Sequence, residues 1–527
     1  MNVENTSTPP CWQADWPTRD QTVSGTPPPA PVDVCVIGAG VSGLSTAYLL
    51  AKAGKSVAVV DDGPVGGGES GNTTAHLSNA IDDRYVLIER LHGQEGAKVC
   101  ADSHTAAIDL IESITINERI DCDFERLDGY LFMPPGGDAE FLQRELKAAR
   151  AAGLRDVQML SRAPISFDTG SCLRFPRQAQ IHPLRYLTGL RDAFIRAGGW
   201  IHNRKHVCKV TKQGAAFRIE AEDGTALHAA KVVVATNTPV TDIVTIHTKQ
   251  APYRTYVIGA RVPAGAVPPG LYWDVMHDTE LSKEQYHYVR LQRLDRQASG
   301  GEELLIVGGE DHKTGQAADA DRRWNALESW SRERFPAMGP VEHRWSGQVM
   351  EPVDCVAFIG PNPGGPDGLY IATGDSGMGM THGTIAGILL TDLITGRRND
   401  WAWLYDPNRK SIRAGWEFAR ENLNVAVQYA DWFSTGQVAS VSLIPPGEGA
   451  VVRENLKFIA AYRDDSGRLH KCSAICTHLG CIVAWNPAEK SWDCPCHGSR
   501  YDVDGKVLNG PAISGLKPVD RHVPVSR

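Results

Sequence analysis

Cys476-Thr-His478 and Cys494-Pro-Cys496-His497 put two thiolates and two imidazoles on two short loops, with fifteen residues between His478 and Cys494. Such a donor set accepts zinc, or a [2Fe–2S] cluster with cysteines on one iron and histidines on the other. The surroundings favour the cluster. Gly480, Gly498 and Ser499 are small enough for backbone amides to approach cluster sulfides, and Cys481 and Cys496 stand just behind the two ligand loops. The chemistry expected is transfer of single electrons.

A second constellation lies near the other end. An apolar run from Val32 ends in Gly38-Ala-Gly40-Val-Ser-Gly43, followed by a helix-forming stretch (Leu44 to Ala53) and a second apolar run ending in Asp61-Asp62. Gly38 allows the tight turn, Gly40 lets backbone approach a pyrophosphate, and Gly43 lets helix pack on strand. The helix N-terminus offers free amides to phosphate, and Asp61 can accept ribose hydroxyls. Two more segments suit the same ligand. Lys231 to Asn237 reads as a buried strand ending in Ala235 and Thr236. Gly368 to Gly383 reads as strand, turn and helix start, with Gly374, Gly377, Gly379, Met380 and Thr381 presenting amides and a helix dipole to an electron-rich group.

The C-terminal stretch resembles the Rieske family, and Gly510-Pro511-Ala512 recurs where that family has its Pro loop. The resemblance implies Cys476, His478, Cys494 and His497 as cluster ligands and a Cys481–Cys496 disulfide tying the loops together. It also implies that Ser499 reaches a bridging sulfide and Tyr501 the sulfur of Cys476. Such bonds favour the more negative, reduced cluster and raise its potential. Residues 30–400 resemble the glutathione-reductase-type flavoproteins, in the D-amino-acid oxidase branch with glycine and sarcosine oxidases. This implies FAD, with Val207 at the adenine and Thr73, Thr74 and His76 beside the flavin; some relatives attach FAD through a histidine near His76. The order of the two parts resembles a bacterial family of fused FAD/Rieske oxidoreductases.

These groups need elements to hold them. The expected fold is an α/β FAD-binding domain of the glutathione-reductase type with an α+β substrate domain, then an all-β Rieske domain. Residues 1–30 read as a lead-in and 31–404 as the flavin body, whose substrate portion covers about 81–177 and 250–345. Residues 405–435 read as a helical linker and 436–527 as the cluster module. In Tyr286-His-Tyr288-Val-Arg290, alternation puts both tyrosines and the arginine on one strand face. Arg290 with Tyr288 therefore suits a substrate carboxylate, and Arg254 beside Tyr256 is a second candidate. His312, after an apolar strand and two glycines, is a candidate base.

The chain has 527 residues, more than one core can serve. Its net charge of −8 gives no basic footprint for nucleic acid. No apolar run approaches the ~20 residues that span a bilayer. Met1 to Pro31 has neither an apolar signal core nor paired arginines, so a cytoplasmic protein is expected. Thirty residues follow His497, too few for the mononuclear iron domain of a ring-hydroxylating oxygenase. The leading expectation is a dehydrogenase that oxidises a small amine or amino acid at FAD and passes electrons through the cluster to a one-electron acceptor. Two alternatives are an electron-transfer component feeding a partner oxygenase, and a redox sensor.

Overall fold

The computed structural model describes residues 7–15, 23–25, 31–133, 139–241, 246–275, 286–294, 301–410, 414–429, 432, 436–454 and 456–519. Most of the expected lead-in, and stretches 276–285 and 295–300 of the substrate portion, lie outside the described residues.

Apolar runs buried on both faces make parallel strands. Trp200–His202, Val57–Val60, Val32–Ile37, Ala226–Val234 and Leu369–Thr373 lie side by side in that order, all parallel. The helix Val41–Lys52 returns the chain between the second and third of these. It packs on the helix Gly379–Thr395, where Gly383 and Gly387 make the approach possible. A Cβ on Gly383 would lie 2.5 Å from Val41 Cγ1, and one on Gly387 would lie 2.8 Å from Ser45 Cβ. The second helix begins at Gly379, before the glycines that make this contact. Both N-termini consequently point into one cavity.

A second sheet has nine strands. Its order runs Val341–Pro352, Gln250–Pro263, Glu302–Lys313, His287–Arg293, Leu271–Asp274, Glu125–Phe132, Cys172–Gln180 and His76–Leu77, with Gln158–Leu160 also on Cys172–Gln180. It roofs the cavity. Gly308 and Gly309 do not end their strand but lie inside it, opposite Tyr288 and His287. A Cβ on Gly308 would lie 2.2 Å from the Tyr288 ring, so glycine here serves close packing.

The C-terminal part is all-β. Gly449–Glu454, Lys457–Arg463 and Leu469–Ser473 form one antiparallel sheet; Ala484–Asn486, Ser491–Asp493, Arg500–Tyr501 and Val507–Asn509 form another. Trp485, Trp492, Tyr501 and Phe458 fill the space between them. In the linker the described helix is Gly415–Gln428. It joins both parts: Lys313 pairs with Glu421 at 2.6 Å, while Tyr429 donates to Leu479 O at 2.8 Å and Trp432 to Gly480 O at 3.1 Å.

Candidate redox site

A cavity of about 1200 Å³ runs between the two sheets and past the paired helix N-termini. Gly38 begins it with φ +110°, and a Cβ there would lie 2.3 Å from Ala235 O. Gly40 caps the first helix with no side chain of its own, and Ser70 Oγ accepts from the Val41 amide at 3.1 Å at the cavity wall. Gly43 serves packing: a Cβ would lie 1.9 Å from Gly38 O. Asp61 accepts from the Ala39 amide, and from Gly63 N at 2.7 Å. Burial, then the neighbouring Asp62, pushes its carboxyl up to about 7. Asp62 itself pairs with His206 at 3.3 Å. Val207, Ala235, Thr236, Gly374, Gly377, Gly379 and Met380 line the same space. A glycine-floored cavity with two helix N-termini and an acid at one end fits FAD.

The far end is aromatic and carries fixed donors. Trp273, Tyr286, Tyr288 and His76 line it. Tyr288 OH lies 2.8 Å from Thr255 Oγ1, and Tyr286 OH donates to Asp82 at 3.3 Å. Burial holds both phenols well above their ordinary range, so they remain neutral donors. Burial and the charge of Arg290 push His76 down to about 3, so its imidazole is neutral, with Nδ1 3.1 Å from Thr74 Oγ1. Its Nε2 is buried and has no hydrogen-bond partner among the described residues.

The structure brings Cys476, His478, Cys494 and His497 together at the tip of the all-β part. The two imidazoles sit 5.0 Å apart at 88°. The thiols share a hydrogen bond, which draws Cys476 down to about 6 and pushes Cys494 up. Burial pushes His497 down to about 3, the neutral form that ligates metal. Cys481 and Cys496 form a disulfide behind the loops. Its two sulfurs and Cys494 Sγ lie within 4.8 Å of one another, but disulfide sulfurs are not thiolate ligands, so that trio is no metal site. Tyr501 OH lies 3.2 Å from Cys476 Sγ, and Ser499 also hydrogen-bonds that sulfur while accepting from Ala512 N at 3.0 Å. Two thiols, two neutral imidazoles and hydroxyl donors aimed at sulfur fit a [2Fe–2S] cluster.

The two sites share a wall. Gln348 lines the cavity and donates to Gly498 O at 3.1 Å, one residue beyond the ligand His497. Asn509 donates to Glu69 at 2.8 Å and His206 to Ile513 O at 2.9 Å, so the cluster module also closes the cavity near Asp62. Behind this contact Arg254 and Arg500 both pair with Glu489.

Three residues expected at the substrate lie elsewhere. Arg290 is 1% exposed, and its guanidinium donates to Thr74 O, Ala75 O and Ile181 O at 3.0–3.2 Å. It braces the segment that carries His76 and does not line the cavity. Arg254 faces the cluster module through Glu489. His312 lies within a strand that continues past the glycines; its Nε2 meets Tyr256 OH at 2.9 Å and its Nδ1 donates to Lys313 O at 2.7 Å. Thr381 turns from the cavity to His104 Nδ1 at 2.9 Å. Thr73 holds Ala75 N at 3.0 Å, fixing the positive φ of Ala75. Sequence reasoning missed Arg84 and Arg144, which do line the cavity, and most of the stretch from Asp504 to Pro518 as a cavity wall. Nothing local marks them, since their role depends on how distant elements dock.

A family model described as FAD dependent oxidoreductase matches residues 33–393, and one described as Rieske [2Fe-2S] domain matches residues 431–520. A Bacillus subtilis (strain 168) protein named as a Rieske 2Fe-2S iron-sulfur protein is 30% identical over 93% of each chain. A cytochrome b6-f complex iron-sulfur subunit of Prochlorococcus marinus (strain NATL1A) is 35% identical over 26% of this chain and 71% of that subunit. Among solved structures, glycine oxidase from Geobacillus kaustophilus superposes with a TM-score of 0.56 at 17% identity, covering 72% of this chain and 99% of that one. The L-amino acid deaminase from Proteus myxofaciens gives a TM-score of 0.56 at 16% identity, over 75% of this chain and 97% of that one.

Proposed function

From the premise that this chain belongs to the FAD-dependent oxidoreductase family and carries a C-terminal Rieske domain, we propose that it dehydrogenates a small amine or amino acid and delivers the electrons singly to an external acceptor. FAD supplies two-electron hydride acceptance, and the cluster supplies one-electron relay. The observation that carries this reading is the shared wall: a residue lining the flavin cavity, Gln348, hydrogen-bonds the ligand loop of the cluster at Gly498. A redox sensor has no need of such a contact; an electron-transfer component feeding a partner oxygenase would use it equally, and the source of the flavin's electrons separates that reading from ours.

The aromatic end of the cavity receives the substrate. Tyr288 can donate while accepting from Thr255, Tyr286 offers a lone pair because its proton goes to Asp82, and Trp273 excludes water. Arg84 and Arg144 line this cavity, and we assign their guanidinium groups to a substrate carboxylate, in the role first expected of Arg290. Neutral His76 can accept a hydrogen bond at Nε2. Ser499 and Tyr501 favour the reduced cluster and so draw electrons from flavin to iron. Anaerobic screening of amines and amino acids against bleaching of the flavin, without NAD(P)H, tests the reading. Bleaching by an amine supports it; reduction by NAD(P)H alone overturns it.

A further inference from the structure

A third histidine meets the two cluster ligands, and it comes from the flavin body. The ring of His247 lies 4.9 Å from that of His478 at 82° and 6.1 Å from that of His497 at 63°. His247 is only 3% exposed. It therefore covers the edge of the histidine pair that would otherwise face the domain boundary, and excludes water there. No motif in the sequence marks it.

The turn that carries His247 is anchored on every side. Lys249 N donates to Ile246 O at 2.9 Å, and Ile246 is fully buried in the core of the parallel sheet. The Lys249 ammonium donates to Pro407 O at 2.9 Å and Arg409 O at 3.2 Å. Asn422, on the helix that clamps the cluster module, donates to Thr248 O at 3.0 Å. The chain then enters the cavity wall directly. Gln250 donates to Thr373 Oγ1 at 3.2 Å, Thr373 and Ala251 line the cavity, and Gly374 follows as the start of the flavin turn. From a cluster imidazole to the flavin cavity there is one ring, a short piece of backbone and one side-chain hydrogen bond.

We propose that His247 is a positioning residue for the cluster's histidine pair, and that its turn, which meets the ligand imidazoles themselves where Gln348 reaches only the Gly498 carbonyl, is the route by which electrons cross from the flavin cavity to the cluster. The inference rests on the function proposed above. Each crossing moves one electron: reduced flavin loses it, one ferric iron becomes ferrous, and no bond to a ligand forms or breaks. The second electron follows once an external one-electron acceptor, a small haem protein or ferricyanide as its probe, has reoxidised the cluster. His247 acts through His478 and His497, fixing their ring orientation and keeping the edge dry, both of which tune such a centre.

The test uses the full-length holoenzyme and three variants: His247→Ala, His247→Leu and His247→Phe. Light with EDTA reduces the bound flavin anaerobically, and bleaching of the cluster reports the electron's arrival. The alanine and leucine variants should slow arrival at least tenfold and change the EPR g-values of the dithionite-reduced cluster. The phenylalanine variant keeps a ring in place and should recover arrival to within about threefold of the parent. Parent-like rates and spectra in the alanine or leucine variant would overturn the proposal, as would loss of the cluster from all three, which marks a folding role. Failure of the parent itself to pass electrons from flavin to cluster would instead sink the proposed function, so the two failures are distinct.

Discussion

Arg254 of the flavin body and Glu489 of the cluster module form an ion pair in which the arginine side chain is 1% exposed and the glutamate 17%. Arg500 holds the other oxygen of the same carboxylate, and Ser346 bonds it as well. A charge so enclosed is costly to leave alone: removing one partner of a buried pair costs about 3–5 kcal/mol. Glu489→Ala should therefore loosen the module from the body. Calorimetry should show one cooperative transition splitting into two. A single unshifted transition would mean the contact is not what holds the parts together.

The same carboxylate gives the interface a pH dependence. Burial pushes Glu489 up, but Arg254 and Arg500 outweigh it and hold the group at about 2 in the folded protein. A depressed pKa contributes stability that is present above the unfolded value, about 4.3, and is lost as pH falls toward 2. The parent should exceed Glu489→Gln in melting temperature at pH 6, with the difference shrinking below about pH 4. A difference independent of pH across that window would assign the effect to packing.

Tyr501→Phe and Ser499→Ala each remove a hydroxyl from the Cys476 sulfur while leaving four ligands. For one electron, about 1.4 kcal/mol of preference for the reduced state corresponds to ~59 mV. Hydrogen bonds to charged acceptors are worth about 1.5–3 kcal/mol, and only the part that differs between redox states counts. Each change should lower the cluster potential by some tens of millivolts, and the pair by more. Redox titration decides; unchanged potentials would remove the physical basis for flow from flavin to iron.

Two arginines should separate by phenotype. Arg290→Ala leaves three backbone carbonyls without their donor and frees the segment carrying His76, so flavin retention should fall. Arg84→Ala removes a cavity guanidinium, so KM should rise about tenfold or more for carboxylate-bearing substrates, with FAD content unchanged. FAD loss in the Arg84 variant, or a pure KM effect in the Arg290 variant, would reverse the assignments.

Gly43→Ala places a methyl 1.9 Å from Gly38 O, which backbone cannot accommodate without parting helix from strand. FAD should be lost, read as missing flavin absorbance. The cluster EPR signal should persist, because its four donors belong to the other end of the chain.

The fold class and both cofactors were legible because their signals are local. A strand, three spaced glycines, a helix and an acid occupy thirty residues, and the four cluster donors occupy about twenty-two. The substrate face was less legible. Alternation placed Arg290 beside Tyr288, yet the arginine turned to carbonyls of the 74–75 segment that strand pattern cannot reveal. Two glycines before His312 looked like the end of a strand, but Gly308 serves its packing on the Tyr288 ring and Gly309 its approach to the Tyr286 carbonyl. Arg254 and Glu489 are 235 residues apart, and His247 is nearly as far from His478, so no window of sequence holds either relationship.

The flavin cavity is walled by residues from both ends of the chain, from Ile37 to Pro518. Synthesis therefore finishes the cavity last of all. Until the cluster module docks, the pocket near Asp62 and His206 is an open doorway; afterwards Asn509 and Ile513 stand across it. FAD therefore enters before that docking, or waits until the module parts from the body.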